Sequence, residues 1–280
     1  MLSDSDSDLL AHAADLIEQA DALIIAAGAG MGVDSGLPDF RGNQGFWQAY
    51  PALARAKLEF SAVATPYTFR INPALAWGFY GHRLQLYRDT VPHAGFALLK
   101  EWGERMPLGY AVHTSNVDGQ FQKAGFDPQR IHECHGSIQH LQCMEPCGPQ
   151  IWSADGFHPD VDTVACRLRN APPACPHCGG LARPNILMFS DWEWNEQRSH
   201  VQEARLMQWL ASARHPLVIE LGAGTALPAV RHFSHRVVMR HGGRLIRINP
   251  TEAKVAREQD VGLKAGAMEA LTAIAALLPA

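Results

Sequence analysis

Short apolar runs that end in glycine or small polar residues recur along the chain. Residues 21–27 form the first run, and residues 109–113, 217–221 and 244–248 form three more. Runs of this length without polar alternation are typical of parallel strands that are buried on both faces. We therefore predict four buried strands, each of which leads into a turn.

Stretches with helical spacing of apolar residues lie between these runs, for example at residues 9–20, 199–211 and 268–278. Strands that alternate with helices predict an α/β fold with a doubly wound, Rossmann-like parallel sheet. Such a sheet binds its ligand across the carboxyl ends of the strands.

Two regions depart from the alternation. Residues from about 43 to 92 are rich in aromatic side chains and are predicted to form a helical insertion. Residues 139–183 contain four cysteines with proline and glycine, and are predicted to form a small module. We expect a large Rossmann-like domain from residues 1–138 and 184–280, with the helical insertion as its cap and residues 139–183 as a separate, cysteine-containing module.

The composition narrows the class of protein. The chain has 280 residues, 47% of them hydrophobic, and a formal net charge of -4. Without a basic excess, nucleic acid is not expected as a direct partner. Residues 1–8 lack the features of a secretory signal, and the apolar run at 22–27 is too short to span a bilayer. We expect a cytoplasmic protein without a membrane partner.

The cysteines are arranged in two close pairs, Cys143 with Cys147 and Cys175 with Cys178. Zinc prefers four such thiolates in a tetrahedron, and proline and glycine beside each pair favour tight turns. We predict one structural zinc, because no candidate acid lies inside the module. Unrelated thiols or a redox pair are the alternatives, and His177 is a further candidate ligand.

Gly28, Ala29 and Gly30 follow the first strand, but Val33 stands where a full dinucleotide signature has its third glycine. The longer string at 28–42 closely resembles the NAD-binding motif of the sirtuin family. The resemblance continues through 45–47, 114–118, the His135–Gly136 pair, the four cysteines, 183–185, 224–225 and 248–249, and extends from about residue 20 to 275. Relatives of bacterial type are the most similar in pattern.

The resemblance implies an NAD-dependent protein lysine deacylase that releases nicotinamide and O-acyl-ADP-ribose, with acylated proteins or peptides as substrates. It implies that His135 is the general base and that Asn116 orients the ribose and a water. It also implies that Asp118 holds the nicotinamide amide and that Asn249 meets the adenosine ribose. The expected cofactor-binding residues are Gly28, Ala29, Gly30, Asp39, Phe40, Arg41, Ser115, Asn116, Asp118, Gly222, Gly224, Thr225 and Asn249.

Simple chemistry supports several of these roles. Gly28 and Gly30 let backbone N–H groups approach a pyrophosphate without a Cβ in the way. Arg41 can bind phosphate and Phe40 can exclude water from the ribose, although a loop ion pair and a core position are the plain alternatives. Histidine suits a general base because its ordinary pKa is near neutrality.

Several places depart from the family pattern, among them Gln120–Phe121 in place of Leu-His and Ala226 in place of a serine. Ser115 replaces a glutamine that normally faces the cofactor. The loop at 189–194, which lines the peptide cleft in sirtuins and carries Phe189, has two tryptophans in place of the usual residues. Those tryptophans are either anchors for a ligand or a wall of the cleft.

Tyr80 and Arg83 share one face of a helix because they are three residues apart. In the sirtuin branch that removes succinyl and malonyl groups, a tyrosine and an arginine at this place bind the acyl carboxylate. The alternative is an aromatic core helix with a solvated arginine. Deacetylation, desuccinylation and demalonylation therefore all remain open.

Other functions would use the same cleft. The altered residues favour protein ADP-ribosylation or NAD hydrolysis, neither of which needs a tunnel for an acylated lysine. A non-catalytic NAD sensor is a third reading, which Asn116, Asp118 and His135 together oppose, because binding alone needs no base. The protein targets, the acyl chain and the oligomeric state remain open.

Overall fold

The computed structural model describes residues 6–38, 47 and 50–279. Its helices are α1 (Ser7–Gln19), α2 (Pro51–Arg55), α3 (Phe60–Val63), α4 (Pro66–Ile71), α5 (Pro73–Asp89), α6 (Gly95–Arg105), α7 (Gln120–Lys123), α8 (Gln197–Leu210), α9 (Ala229–Arg240) and α10 (Ala267–Ala275), with short 3-10 helices at Ala29–Ser35 and Pro128–Arg130. Its strands are β1 (Ala22–Ala27), β2 (Tyr110–Thr114), β3 (Ile131–Glu133), β4 (Gly136–Cys143), β5 (Ile151–Ser153), β6 (Val161–Asp162), β7 (Arg167–Leu168), β8 (Ala182–Ile186), β9 (Pro216–Leu221), β10 (Arg244–Ile248) and β11 (Val261–Leu263).

The main sheet has six parallel strands in the order β11-β10-β9-β1-β2-β3. Every residue of β1 is buried, as its continuous apolar run requires for a strand covered on both faces. The four predicted strands are confirmed as β1, β2, β9 and β10. The short edge strands β3 and β11 were not predicted, because three residues are too few to produce a recognisable pattern.

Helices cover both faces of this sheet. Alternate residues of β1, Leu23 and Ile25, pack in one core with residues of α1, α6 and α10. Ile24 and Ala26 point to the other side and pack with residues of α8 and α9. The doubly wound α/β arrangement predicted from the sequence is therefore confirmed.

A second sheet, antiparallel and in the order β5-β4-β8, carries the first cysteine pair at the end of β4. The hairpin β6-β7 lies between the two cysteine pairs. Side chains from α5, such as Trp77 and Tyr80, share one hydrophobic core with Ile138, Leu141 and Leu168 of this region. The helices that interrupt the alternation therefore pack on the cysteine-containing segment.

Among the described residues, none of the helices has the length and apolar character that crossing a membrane requires.

Candidate functional site

A cavity of about 530 Å³ opens at the carboxyl ends of β1 and β2. It brings together residues that are up to about two hundred positions apart in the sequence. The residues predicted for the site that line it are Ala29, Tyr80, Arg83, Ser115, Asn116, Asp118, His135, Phe189 and Gly224. The cofactor set and the substrate set therefore face one space.

Asn116 is held against the glycine turn. Its backbone N–H donates to the hydroxyl of Thr114 over 3.0 Å, and its side-chain Nδ2 donates to the carbonyl of Gly28 over 3.0 Å. The Thr114 hydroxyl donates in turn to the carbonyl of Ala27 at the end of β1. These bonds tie the end of β2 to the end of β1 and set the direction of the Asn116 amide.

Asp118 lies buried in the same wall. Burial raises the pKa of its carboxyl to about 6, although a 2.9 Å hydrogen bond from the backbone N–H of Gln120 favours the charged form. Gln120 is itself anchored, because its Nε2 donates to the carbonyl of Tyr87. The buried carboxyl of Asp118 thus has a pKa near neutral pH, and a pKa perturbed by burial is typical of functional positions.

His135 follows β3 and lines the cavity beside Ser115. Burial lowers the pKa of its imidazole below the ordinary value, and a backbone contact with Ser115 opposes this shift only in part. The ring is therefore neutral at pH 7 and has a nitrogen available to accept a proton. The carbonyl of His135 accepts from the N–H of Leu187, which connects His135 to the loop after β8.

The two glycine turns touch each other, which gives Gly30 and Gly222 a role in packing. The N–H of Gly30 donates to the carbonyl of Gly222, and the N–H of Gly28 donates to Leu221. A Cβ on Gly30 would lie 2.7 Å from the Cα of Gly222. Both N–H groups bond to backbone carbonyls, and the absence of a Cβ at Gly30 and Gly222 allows the two backbones to approach closely.

A second cavity, of about 460 Å³, continues from Gly224 towards β10 and includes Gly30, Gly222, Thr225 and Asn249 in its lining. The Asn249 Nδ2 donates to the carbonyl of Ala223. Its Oδ1 accepts from the backbone N–H groups of Thr251 and Glu252 and from the Thr251 hydroxyl. The amide of Asn249 shapes this end of the cleft.

Glu252 was not singled out from the sequence. Its carboxylate accepts from both the backbone N–H of Thr225, over 2.9 Å, and the Thr225 hydroxyl, over 3.1 Å. Both donors of Thr225 are thus engaged, and Arg231 pairs with the same carboxylate. No local pattern could have indicated this contact, since Thr225 follows β9 and Glu252 follows β10.

Tyr80 and Arg83 project into the cavity from α5, and both are buried. The Nε and one terminal nitrogen of Arg83 donate to the Tyr87 hydroxyl over 2.9 and 2.6 Å. The guanidinium lies among the rings of Phe79, Tyr80 and Tyr87 at 5.3–5.8 Å. Burial raises the pKa of Tyr80 to about 12, so its hydroxyl remains a donor. The solvated-arginine alternative does not hold.

Tyr87 is a lining residue that the sequence interpretation missed. It stands four residues after Arg83 on the same helix, so the spacing of 80, 83 and 87 on one face was the signal that could have found it.

The loop after β8 forms the opposite wall through Leu187, Met188 and Phe189. The Phe189 N–H donates to the carbonyl of Ala64, and its ring packs edge-on against Phe60. Further along the loop, Trp192 is 95% exposed, whereas Trp194 is half-buried. Neither tryptophan lines the cavity, so the structure supports neither of the two predicted roles for them.

Asp39, Phe40 and Arg41, which were predicted to contact the cofactor, lie outside the described residues. Leu37 and Pro38, just before them, line the large cavity.

The four predicted metal ligands meet in space. The sulfurs of Cys143, Cys147, Cys175 and Cys178 all lie within 4.8 Å of one another, and the Cys143–Cys178 and Cys147–Cys175 pairs are both 3.6 Å apart. A tetrahedral zinc with bonds of about 2.3 Å separates its sulfurs by about 3.8 Å. The donor set and its spacing therefore fit one structural zinc, and His177 is not part of the cluster.

Comparisons with known proteins agree with this geometry. The model of the Sir2 family matches residues 28–212. The NAD-dependent protein deacylase of Aquifex aeolicus (strain VF5) is 29% identical over 242 residues, covering 86% of this chain and 89% of that protein. NAD-dependent protein deacylase 2 of Pyrobaculum aerophilum is 30% identical over 261 residues, covering 93% of this chain and 92% of that protein.

A crystal structure of a Sir2 homologue–NAD complex has the same fold, with a TM-score of 0.70 at 24% identity over 98% of this chain and 94% of that one. The fold and the two joined cavities define a dinucleotide-binding α/β protein with a four-cysteine module. With a family model that matches more than half of its length, the chain belongs to the Sir2 family.

Proposed function

We propose that the chain is an NAD-dependent protein lysine deacylase that releases nicotinamide and O-acyl-ADP-ribose. One observation carries the proposal: a single cavity joins His135, Asn116 and Asp118 to Tyr80, Arg83 and Phe189. A cleft that only hydrolysed NAD would not need the second group of residues. The names of the relatives from Aquifex and Pyrobaculum, both deacylases, support the same activity.

When bound, NAD supplies a ribose carbon that accepts the acyl oxygen as nicotinamide leaves. The neutral imidazole of His135 then accepts a proton from a ribose hydroxyl. Asn116, held through Gly28 and Thr114, orients the ribose and a water. Asp118 accepts from the nicotinamide amide, and its burial strengthens that hydrogen bond by excluding water.

For the acyl group, we propose that Arg83 and Tyr80 bind a carboxylate, so that the activity extends from acetyl to succinyl and malonyl lysine. The Arg83 guanidinium is buried among aromatic rings and oriented by Tyr87, and a protonated Tyr80 adds one donor beside it. A planar guanidinium with an oriented face suits bidentate binding of a carboxylate.

The remaining assignments are also proposals. The residues that would contact NAD are the predicted set, in which Ser115 stands in the cavity wall next to Asn116. We retain the division into a large domain (1–138 and 184–280) and a zinc-binding module (139–183). We also propose the cytoplasm as the compartment, because cysteines that serve as metal ligands and free thiols are typical of reducing surroundings.

The test is to incubate the protein with NAD and acetyl-, malonyl- or succinyl-lysine peptides of one sequence. Mass spectrometry should detect nicotinamide, deacylated peptide and O-acyl-ADP-ribose in equal amounts. Nicotinamide release without peptide turnover would instead indicate NAD hydrolysis, and labelled protein would indicate ADP-ribosylation.

A further inference from the structure

The helix α5 has two faces with different partners. Tyr80, Arg83 and Tyr87 lie on the face that lines the cavity, since residues three and seven apart share one side of a helix. Trp77, Gly78, Gly81, Gln85 and Arg88 lie on a second face, roughly 140° around the helix axis at about 100° per residue. This second face contacts residues 154–170, the insertion between the two cysteine pairs.

Two glycines allow the insertion to approach α5 closely. A Cβ on Gly78 would lie 2.3 Å from the carbonyl oxygen of Cys166, and a Cβ on Gly81 would lie 2.8 Å from the Cβ of Pro159. Side chains at either position would therefore push the helix and the insertion apart. Glycine is unfavourable in the interior of a helix, so the presence of two glycines on one face of α5 indicates that the close contact with the insertion is required.

Polar and aromatic contacts join the same two segments. Arg88 donates to the carbonyls of Phe157 and Ala154, both over 2.8 Å, and Gln85 donates to the carbonyl of Pro159 over 2.6 Å. Trp77 packs edge-on against Phe157, with 4.9 Å between ring centroids. The contact thus extends along most of the length of α5, from Trp77 to Arg88.

The insertion adopts an unfavourable backbone conformation where it crosses the helix. Cys166, whose carbonyl faces Gly78, has a φ of 50°, in the left-handed region that non-glycine residues rarely occupy. Such a conformation persists only when the surrounding contacts maintain it. The position of the insertion on α5 is therefore set by packing and not by local preference.

From these contacts we infer that Gly78 and Gly81 are positioning residues for acyl recognition. They allow the insertion to pack closely against the second face of α5, and this packing fixes how far the side chains of Tyr80 and Arg83 extend into the cavity. The inference rests on the proposed deacylase function. It assigns to the segment between the cysteine pairs a role in acyl selectivity, in addition to carrying the metal ligands.

The variant Gly81→Ala tests this inference. Its extra methyl group meets Pro159 and Val161, and should shift α5 away from the insertion. The matched control is Gly156→Ala within the insertion, where an added Cβ meets nothing within 4 Å. For each protein, kcat and KM are measured with succinyl- and acetyl-lysine peptides, and the Kd for NAD is measured by calorimetry.

We expect Gly81→Ala to lower kcat/KM for the succinyl peptide roughly ten- to a hundredfold, mainly through KM, because small misplacements are costly. The acetyl peptide should lose less, and the Kd for NAD should stay within about twofold of wild type, because a Cβ at position 81 meets Pro159 and Val161 and none of the residues proposed to bind NAD. The control should resemble wild type in every parameter.

Equal losses on both peptides, or a parallel loss of NAD binding, would overturn the inference. If Gly81→Ala does not fold, Arg88→Met decides by the same criteria, because it removes two hydrogen bonds to the insertion without adding volume on that face. A wild-type protein that removes no acyl group would refute the proposed function instead, so the two failures are distinguishable.

Discussion

Replacing Asp191 with alanine tests which contacts fix the conformation of the loop after β8, the loop that carries Phe189. Asp191 accepts from two nitrogens of Arg183 over 2.7 and 2.9 Å, and both side chains are fully buried. The same carboxylate accepts from the backbone N–H groups of Met188, over 3.2 Å, and Glu193, over 3.1 Å. Four hydrogen bonds therefore depend on this one carboxylate. Asp191 lies three residues after Met188, which lines the cavity.

The alanine variant leaves the guanidinium of Arg183 buried without its carboxylate. Removing one partner of a buried ion pair lowers the free energy of unfolding by about 3–5 kcal/mol. At about 2–4 °C per kcal/mol for a chain of this order of size, the Tm should fall by roughly 6–20 °C. The loop that carries Phe189 should also lose its fixed conformation, so the KM for an acylated peptide should rise.

The assay is urea and thermal unfolding, followed by peptide kinetics below the transition. Asp162→Ala is the matched control: Asp162 pairs with Arg169 at the surface, where side-chain exposures are 30% and 59%. An exposed pair contributes at most about 1 kcal/mol. The double variant Arg183→Met with Asp191→Leu should recover part of the stability, because it removes both charges together. Equal losses for Asp191→Ala and the surface control would refute this reasoning.

Four further predictions concern the metal site, the base, the acyl group and pH. Cys147→Ser should lower the zinc content from about one ion per chain and destabilise the module, which metal analysis and thermal unfolding will measure. His135→Ala should reduce kcat at least about a hundredfold while the Kd for NAD stays unchanged, and the acid limb of the wild-type rate profile should lie below pH 6.5, because burial lowers the pKa of this histidine. Arg83→Met should lower kcat/KM for succinyl-lysine roughly ten- to a hundredfold relative to acetyl-lysine, measured at one ionic strength. His132, whose Nδ1 lies 3.0 Å from that of His113, has its pKa lowered to about 4, first by burial and then by Arg236, His135 and His200. The unfolded chain therefore takes up a proton on this histidine at higher pH than the folded protein does. The contribution of neutral His132 to stability is complete above pH 6.5, and up to roughly 3 kcal/mol should be lost as the pH falls towards 4. Urea unfolding of wild type and His132→Gln at several pH values measures this loss.

A specific result would contradict each of these four predictions. A folded, zinc-free wild type would remove the metal site, and near-normal turnover by His135→Ala would mean that another group is the base. Equal losses of Arg83→Met on both peptides would restrict Arg83 to supporting the fold. Parallel stability curves for wild type and His132→Gln would show that the histidine pair does not contribute to acid sensitivity.

The residue sequence by itself determined the features that depend on local pattern. The apolar run at Ala22–Ala27 indicated a strand buried on both faces, because no polar residue interrupts it. The glycine turns after β1 and β9 and the paired cysteines were recognisable, because backbone freedom and metal binding restrict which residues can occupy those positions. From these, the order of strands with helices predicted the fold and the end of the sheet at which the ligand binds.

Only the tertiary structure decided the contacts between distant segments. Arg183 could have been any polar residue of a strand until its pairing with Asp191 was seen, and the carboxylate of Glu252 on Thr225 joins two separate strand ends. The sequence also gives no sign that Gly78 faces the carbonyl of Cys166, which only the packing of α5 on the insertion shows. The physical reason is the same in each case: burial and hydrogen bonding depend on which surfaces meet when the chain closes, and a one-dimensional pattern records only which residues are available to meet.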